Sequence, residues 1–468
     1  MTLSARPADL PALARPPGRT RALLGVALGY FMVLLDTTVL SVAEPDLARS
    51  LGSSTAGLQW AVTGYSVAFG ALLLSGGAAA DRFGAHRAFR FGIAVFGAGS
   101  LLSALAPGLG TLVVLRAVLG AAAAACVPAG MAVIARLYPE PGERAGAIAV
   151  WSAVSGCAMA FGPMAGGVLV DLSGWRAVFL VNVPLAVLAL ALVAGPAAHC
   201  PRGARRIDWW AQSAACAALA LLTDALIAAG SGDWTHSACS AAGTAAAATA
   251  FALRERRSVS PVLQTAVLRT RGMRTILFAG AAVNFTMLGV LFVLPLLLQR
   301  QLHLSPTVAG AAFLPMTLPP GFNPLLTGRI VARVGPWKPV LGGLGLLTAG
   351  SVVFAAAVQE GTWYPLLAAG LLLTGFGVSF TLPALVTAVV TAAPEGTAGA
   401  AGGLLNAVRQ VGATLGVAVM GPFVGLGGSG AGRAAAPAML LPAAVCALAG
   451  WLVLRGRRGA PAAGRAPR

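Results

Sequence analysis

Apolar residues gather along this chain in long uninterrupted blocks, and the charged residues collect in the gaps between them. A membrane-spanning helix needs about 20 mainly apolar residues to cross roughly 30 Å of hydrocarbon. That ruler marks fourteen candidate spans. Six occupy the first half, at 22–43, 58–79, 88–106, 108–135, 146–170 and 176–196. Two follow at 209–230 and 236–253, and six more at 275–298, 307–328, 338–358, 363–391, 400–424 and 437–455. The expected fold class is an all-α membrane protein with fourteen transmembrane helices. Residues 1–21 carry proline and arginine without an apolar core, unlike a signal peptide, so the first block is expected to remain as a helix.

Composition agrees with the blocks. Of the 468 residues, 57% are hydrophobic and 10% charged, and the mean hydropathy is +0.82. A soluble chain carries about 25% charged residues. Too few polar side chains are present to surface the two or three soluble domains that this length suggests. The apolar residues are therefore expected to face lipid.

The net charge of +18 raises the question of a nucleic-acid partner, and the positions of the charges answer it. With the N-terminus in the cytoplasm, 26 of the 32 basic residues fall in cytoplasmic segments. Four (Arg49, Arg176, Arg300 and Arg433) fall outside, and Arg116 and Arg409 lie within spans. This is the positive-inside asymmetry of a membrane protein. It predicts a multi-pass protein of the plasma membrane with both termini cytoplasmic, and no nucleic acid is needed to explain the charge. The chemistry of other classes is missing. Six cysteines lie scattered without CxxC spacing, and four histidines lie far apart in or near loops, so neither a metal site nor a disulfide framework is expected. The one lysine, Lys338, stands between Trp337 and Pro339, which leaves no phosphate loop for an ATP-driven pump. No cofactor and no enzymatic activity are expected.

Internal repetition is the next signal, because transporters are often built from repeated halves. GGAAADRFGAHR follows the second span and TGRIVARVGPWK ends the tenth. Gly77, Arg82, Gly84 and Arg87 match Gly328, Arg333, Gly335 and Lys338 at a constant offset, while Asp81 matches Ala332. Two six-helix halves plus two inserted helices make the fourteen. The expected divisions are a cytoplasmic tail at 1–21, a bundle at 22–196, the inserted pair with flanking loops at 197–274, a second bundle at 275–455 and a cytoplasmic tail at 456–468.

Six stretches in register along the chain now carry a resemblance to a known family. Residues 77–87 resemble a GxLADRxGRR loop, and LDTTVLSVAEPDL (35–47) resembles an LDxTIVNVALPxI first helix. LVVLRAVLG (112–120) resembles an LxxRxxQG fourth helix, and GPMAGG (162–167) matches the antiporter motif GPxxGG. WRAVFLVNVP (175–184) and PEGTAGAAGGLLNAVRQVG (394–412) complete the set. Together they resemble the fourteen-helix drug:proton antiporter branch of the major facilitator superfamily. Ser41, Glu44, Ala85, Leu119 and Asp224 depart from the family's usual residues. The resemblance implies a monomeric exporter of small lipophilic compounds, cationic ones included, such as drugs, antibiotics or metabolites, driven by exchange for protons. A proton-coupled uptake permease of the same fold is the alternative, because fold alone does not set direction.

Ionisable groups inside a span cost about 2.5–3.5 kcal/mol on insertion scales and mark pathways. Asp36 and Arg116 are the candidates for proton coupling, the role that the resemblance gives these positions. A fixed ion pair between the two is the structural alternative. Gly77, Asp81, Arg82, Gly84 and Arg87 form the loop that, by resemblance, locks the outward-facing state. Gly162, Pro163, Gly166 and Gly167 make the antiporter motif, where glycines admit close helix approach and proline permits a kink. Glu44, Asn406, Arg409 and Gln410 are candidate cavity-lining residues. Glu44 is close enough to the helix end to be wetted by the interface, and Asp224 reads as a paired or snorkelling acid on the inserted pair.

Overall fold

The computed structural model describes residues 18–195, 200, 208–258, 265–359, 363–395, 397–425 and 431–458. Every element among them is an α-helix. The first group comprises α1 (Arg19–Leu51), α2 (Thr55–Phe83), α3 (Ala85–Ala104), α4 (Leu109–Leu137), α5 (Pro141–Ser173), α6 (Ala177–Leu180) and α7 (Asn182–Val193). Then come α8 (Trp209–Gly230), α9 (Trp234–Arg257) and the short α10 (Thr265–Arg269). The last group comprises α11 (Met273–Gln301), α12 (Pro306–Ala311), α13 (Leu314–Thr317), α14 (Pro319–Val334), α15 (Trp337–Gln359), α16 (Tyr364–Ala392), α17 (Ala398–Met420), α18 (Pro422–Gly425) and α19 (Ala431–Arg458).

Local chemistry sets several of these boundaries. Side-chain oxygens cap the first turns of four helices: Ser54 for α2, Asp208 for α8, Asp233 for α9 and Ser305 for α12. Pro141 opens α5, where its missing amide hydrogen costs nothing.

Ten of the described helices are long and apolar enough to cross a membrane, against the fourteen spans expected. The other four places hold helices of a different kind. α3 carries His86, Arg87 and Arg90 in its first two turns, and α9 buries only Ser240. At 176–196 the chain makes α6 and α7 in place of one helix. At 307–328 it makes α12, α13 and α14, interrupted where Pro315, Pro319 and Pro320 lack amide donors. An apolar block counted by length alone does not register these interruptions.

The sequence repeat has a counterpart in the packing. α1 packs on α4, α5 and α7, α2 packs on α4, and α3 packs on α4 and α7. Later in the chain α11 packs on α16, α17 and α19, α14 packs on α16, and α15 packs on α16 and α19. The matching glycines of the repeat occupy matching turns. Gly84 joins α2 to α3 at φ 91°, and Gly335 joins α14 to α15 at φ 77°, a region that residues with a Cβ rarely adopt. The expected loop at 77–87 is mostly helical, since Gly77–Phe83 is the last stretch of α2 and Arg87 lies in the first turn of α3.

The two groups meet along a seam in which α2 faces α17, α5 faces α12, α13 and α14, and α1 faces α11. α8 lies against α2 and α17 and carries α9 on its other side. We call the end with the α1–α2 and α11–α12 turns the far end, and the end with Gly84 and Gly335 the near end. The hydrogen bonds across the seam crowd towards the far end. Gln59 Nε2 donates to the carbonyls of Val417 (2.8 Å) and Ala418 (3.0 Å), and Gln299 Nε2 donates to that of Val42 (2.9 Å). Asp171 accepts the Thr307 amide at 2.9 Å.

Candidate functional site

α1 brings Asp36 to the middle of the first helix group, where its side chain is 2% exposed. Its Oδ2 forms an ion pair with Nη1 of Arg116 on α4, itself 1% exposed. Asn182, the first residue of α7, donates from Nδ2 to Asp36 Oδ1 at 3.3 Å and to Ser100 Oγ of α3 at 3.4 Å. Arg116 spends its Nε on the carbonyl of Ala61 in α2 (3.0 Å) and lies 4.6 Å from the centre of the Tyr65 ring. Tyr65 in turn donates to the carbonyl of Val33 at 3.3 Å. One buried charge pair thus ties α1, α2, α3, α4 and α7 together. Both proton-coupling candidates meet here, and they meet as the ion pair that the structural alternative described. Removing one member of such a pair typically costs about 3–5 kcal/mol, because the other charge is left stranded.

Two residues further along α1, the GPMAGG stretch of α5 comes into contact. A Cβ at Gly162 would collide with Thr38, and one at Gly166 would meet the carbonyl of Val39 at 2.6 Å. Thr38 Oγ1 also lies 3.4 Å from the carbonyl of Ala158. On its other face the same stretch of α5 touches the opposite helix group. Gly167 packs on the carbonyl of Pro306, Gly310 packs on the carbonyl of Pro163, and Thr317 donates to the carbonyl of Ala160 at 2.7 Å. The small residues therefore let α5 lie against α1 and α12 at once, so that α5 links the helix carrying Asp36 to the seam.

The cavity-lining candidates separate. Arg409 of α17 donates from Nη1 to Asn406 Oδ1 (2.9 Å) and from Nε to Asn284 Oδ1 of α11 (3.2 Å). Gln410, four residues after Asn406, packs against Gly70 of α2. Glu44 is 2% exposed, so the expectation of a wetted carboxylate fails: α11 from the opposite group covers it. Asp224 is paired, with Oδ2 at 2.6 Å from His236 Nε2 and 2.5 Å from Ser240 Oγ, inside the α8–α9 hairpin and away from the charge pair. At the near end, Asp81, Arg82 and Arg87 are all exposed around Gly84. Asn182 and Asn284 were not singled out from the sequence. Asn182 sits within WRAVFLVNVP, and Asn284 is a lone amide in the apolar run of α11, the kind of signal that would have marked both.

A family model described as the Major Facilitator Superfamily matches residues 26–417 and, in a second overlapping match, 275–468. The chain is similar to the multidrug resistance protein Stp of Mycobacterium tuberculosis (strain CDC 1551 / Oshkosh). The two are 33% identical over 402 residues, covering 85% of this chain and 74% of that protein. It is 36% identical to the puromycin resistance protein pur8 of Streptomyces alboniger over 430 residues, covering 89% and 84% of the two chains. Among solved structures, a bacterial homolog of the human lysosomal transporter Spinster, inward-facing and unoccupied, superposes with a TM-score of 0.68. That match has 19% identity and covers 94% of this chain and 97% of the other. At that identity the likeness speaks for the fold.

Proposed function

Because the chain belongs to the Major Facilitator Superfamily, we propose that it exports small lipophilic compounds across the plasma membrane in exchange for protons. The relatives named for drug and antibiotic resistance support a drug, an antibiotic or a metabolite as cargo. Two six-helix bundles, 22–196 and 275–455, rock about a midplane cavity, and the recurrence of helix pairings supports that division. Residues 197–274 add two inserted helices to make fourteen crossings, with α3, the interrupted helices at 176–196 and 307–328 and the polar α9 counted as spans. The near end faces the cytoplasm, where the arginines of 82–90 and both termini lie, and the protein works as a monomer.

The observation that carries the reading is the continuity between the Asp36–Arg116 pair and the seam. Asp36 and Thr38 share a turn of α1, Thr38 packs on Gly162, and five residues later Gly167 packs on Pro306 of the other bundle. A change of charge at Asp36 loosens its hold on Arg116 and Asn182 and moves α1 against α5. α5 transmits that movement to the seam, so proton uptake and opening are linked. The polar near-end turn at Gly77, Asp81, Arg82, Gly84 and Arg87 serves the opposite state, in which the near end closes.

Inverted membrane vesicles with an acid interior test this. Adding lipophilic compounds should collapse the pH gradient with the wild-type chain and leave it intact with Asp36→Asn. A gradient that falls equally in both would remove Asp36 from the coupling path.

A further inference from the structure

Glu44 lies two turns beyond Asp36 on α1, and nothing in the coupling scheme uses it. Its Oε2 has no hydrogen-bond partner among the described residues, although the side chain is buried. It lines a cavity with Thr37 and Ser41 of its own helix, Val62 of α2, and Leu288, Leu291 and Phe292 of α11. The walls contributed by α2 and α11 hold no titratable group. The charge acting on Glu44 is Arg300, in the last turn of α11.

The neighbouring carboxyls are all engaged. Asp36 holds Arg116 and Asn182. Asp46, the next acid on α1, accepts the Trp175 amide at 2.9 Å and pairs with Arg49 at 3.3 Å. Asp171 of α5 accepts the amide of Thr307. Glu44 differs in another respect too, because its cavity spans the seam. The α1 side belongs to one bundle and the α11 side to the other, and Gln299 closes the same stretch by donating to the carbonyl of Val42.

A carboxylate sealed among apolar walls without a donor is far costlier than the neutral acid. Closing the seam over an ionised Glu44 therefore works against closure, and closing it over the protonated acid does not. We propose that Glu44 is a second proton-binding site, loaded from the external side while the α1–α11 seam is open, and that its protonation permits the seam to close. The proton passes from a hydronium ion to a carboxylate oxygen, leaving water and a neutral acid. When the cavity is wetted again, the carboxylate is regenerated.

The identity of the far end as the external side rests on the transport reading above, but the test needs no transported compound, so the two can fail separately. Spin labels at Ser53→Cys and His303→Cys, in the far-end turns of the two bundles, report the seam in the full chain reconstituted in lipid after replacement of the native cysteines. If closure takes up one proton, the ratio of open to closed distances should rise about tenfold per pH unit across the transition. The closed form gains at acid pH and loses as pH rises. Glu44→Gln should keep the labels at the short distance at every pH. Glu44→Asp, which restores an acid, should bring the pH response back with a displaced midpoint. A wild-type distance that ignores pH, or a pH response that survives unchanged in Glu44→Gln, overturns the proposal. A protein that transports nothing yet shows the Glu44-dependent response would sink the export reading alone.

Discussion

Gly167 of α5 lies directly on the carbonyl oxygen of Pro306 at the start of α12, so the two bundles touch at that point without a side chain between them. Any Cβ there must push the helices apart. Overpacking of this kind costs about 1–3 kcal/mol, enough to lower the population with a closed far end by roughly fivefold or more. Gly167→Val is therefore expected to cut export at least about fivefold while the bundles stay folded. Gly156, which has open space around its would-be Cβ, supplies the control, and Gly156→Ala should transport normally. Equal rates for both variants would show that this contact does not limit the cycle.

The charge pair predicts a pattern of stability as well as of transport. Asp36→Asn and Arg116→Met each strand one partner, at an expected cost of about 3–5 kcal/mol. The double variant Asp36→Asn/Arg116→Met should be less destabilised than the sum of the two. Arg116→Lys should not rescue, because a lysine cannot reach Asp36 and the Ala61 carbonyl together while covering Tyr65. Thermal unfolding in detergent measures all four. Strictly additive losses would mean that the pair is not coupled in solution.

Much of this was legible in the sequence. Asp36 and Arg116 stood out because a charge inside an apolar block is costly, and the structure joins them as an ion pair. Gly84 and Gly335 were marked by the repeat and share a positive φ. Other features depended on residues distant in the chain. Glu44 was read as wetted because it lies near the end of its block, but the wall that buries it comes from α11. Asn182 and Asn284 escaped notice because a neutral amide is tolerated in many apolar helices, and only contact geometry shows what it holds. The breaks at Pro315, Pro319 and Pro320 were hidden by a count of apolar length that ignores lost amide donors.

Outside the spans, Asp208 gives a pH prediction. It caps α8 by accepting the Ala211 amide at 3.1 Å and pairs with Arg254 at the end of α9 at 2.9 Å. Burial pushes its carboxyl up, but the Ala211 amide and the Arg254 guanidinium outweigh burial and hold it below the usual value. A carboxyl lowered in this way stabilises the hairpin fully above the unfolded value of about 3.9 and loses that contribution as pH falls further. The protection of amides in the first turns of α8, taken as exchange relative to the intrinsic rate at each pH, should thus be insensitive to this group near neutral pH and fall only in strong acid. Asp208→Ala should lower that protection by roughly fivefold near neutral pH, the effect of losing a cap worth about 1 kcal/mol, and the difference from the wild type should vanish in strong acid, where the carboxyl is already protonated.

Arg409 sets the last prediction. Its guanidinium is held by two neutral amides, Asn284 and Asn406, and among the described residues it forms no ion pair. Its positive potential is therefore uncompensated. A unit charge at roughly 12 Å and an effective dielectric of about 20 contributes about 1.4 kcal/mol, a factor of ten. If Arg409 faces the transport cavity, Arg409→Gln should raise kcat/KM for a monocationic dye by about tenfold relative to a neutral compound of similar size. The ratio of the two substrates is the quantity to measure, because a general loss of folding lowers both alike. An unchanged ratio would place Arg409 in helix packing between α11 and α17, with no contact to the passing compound.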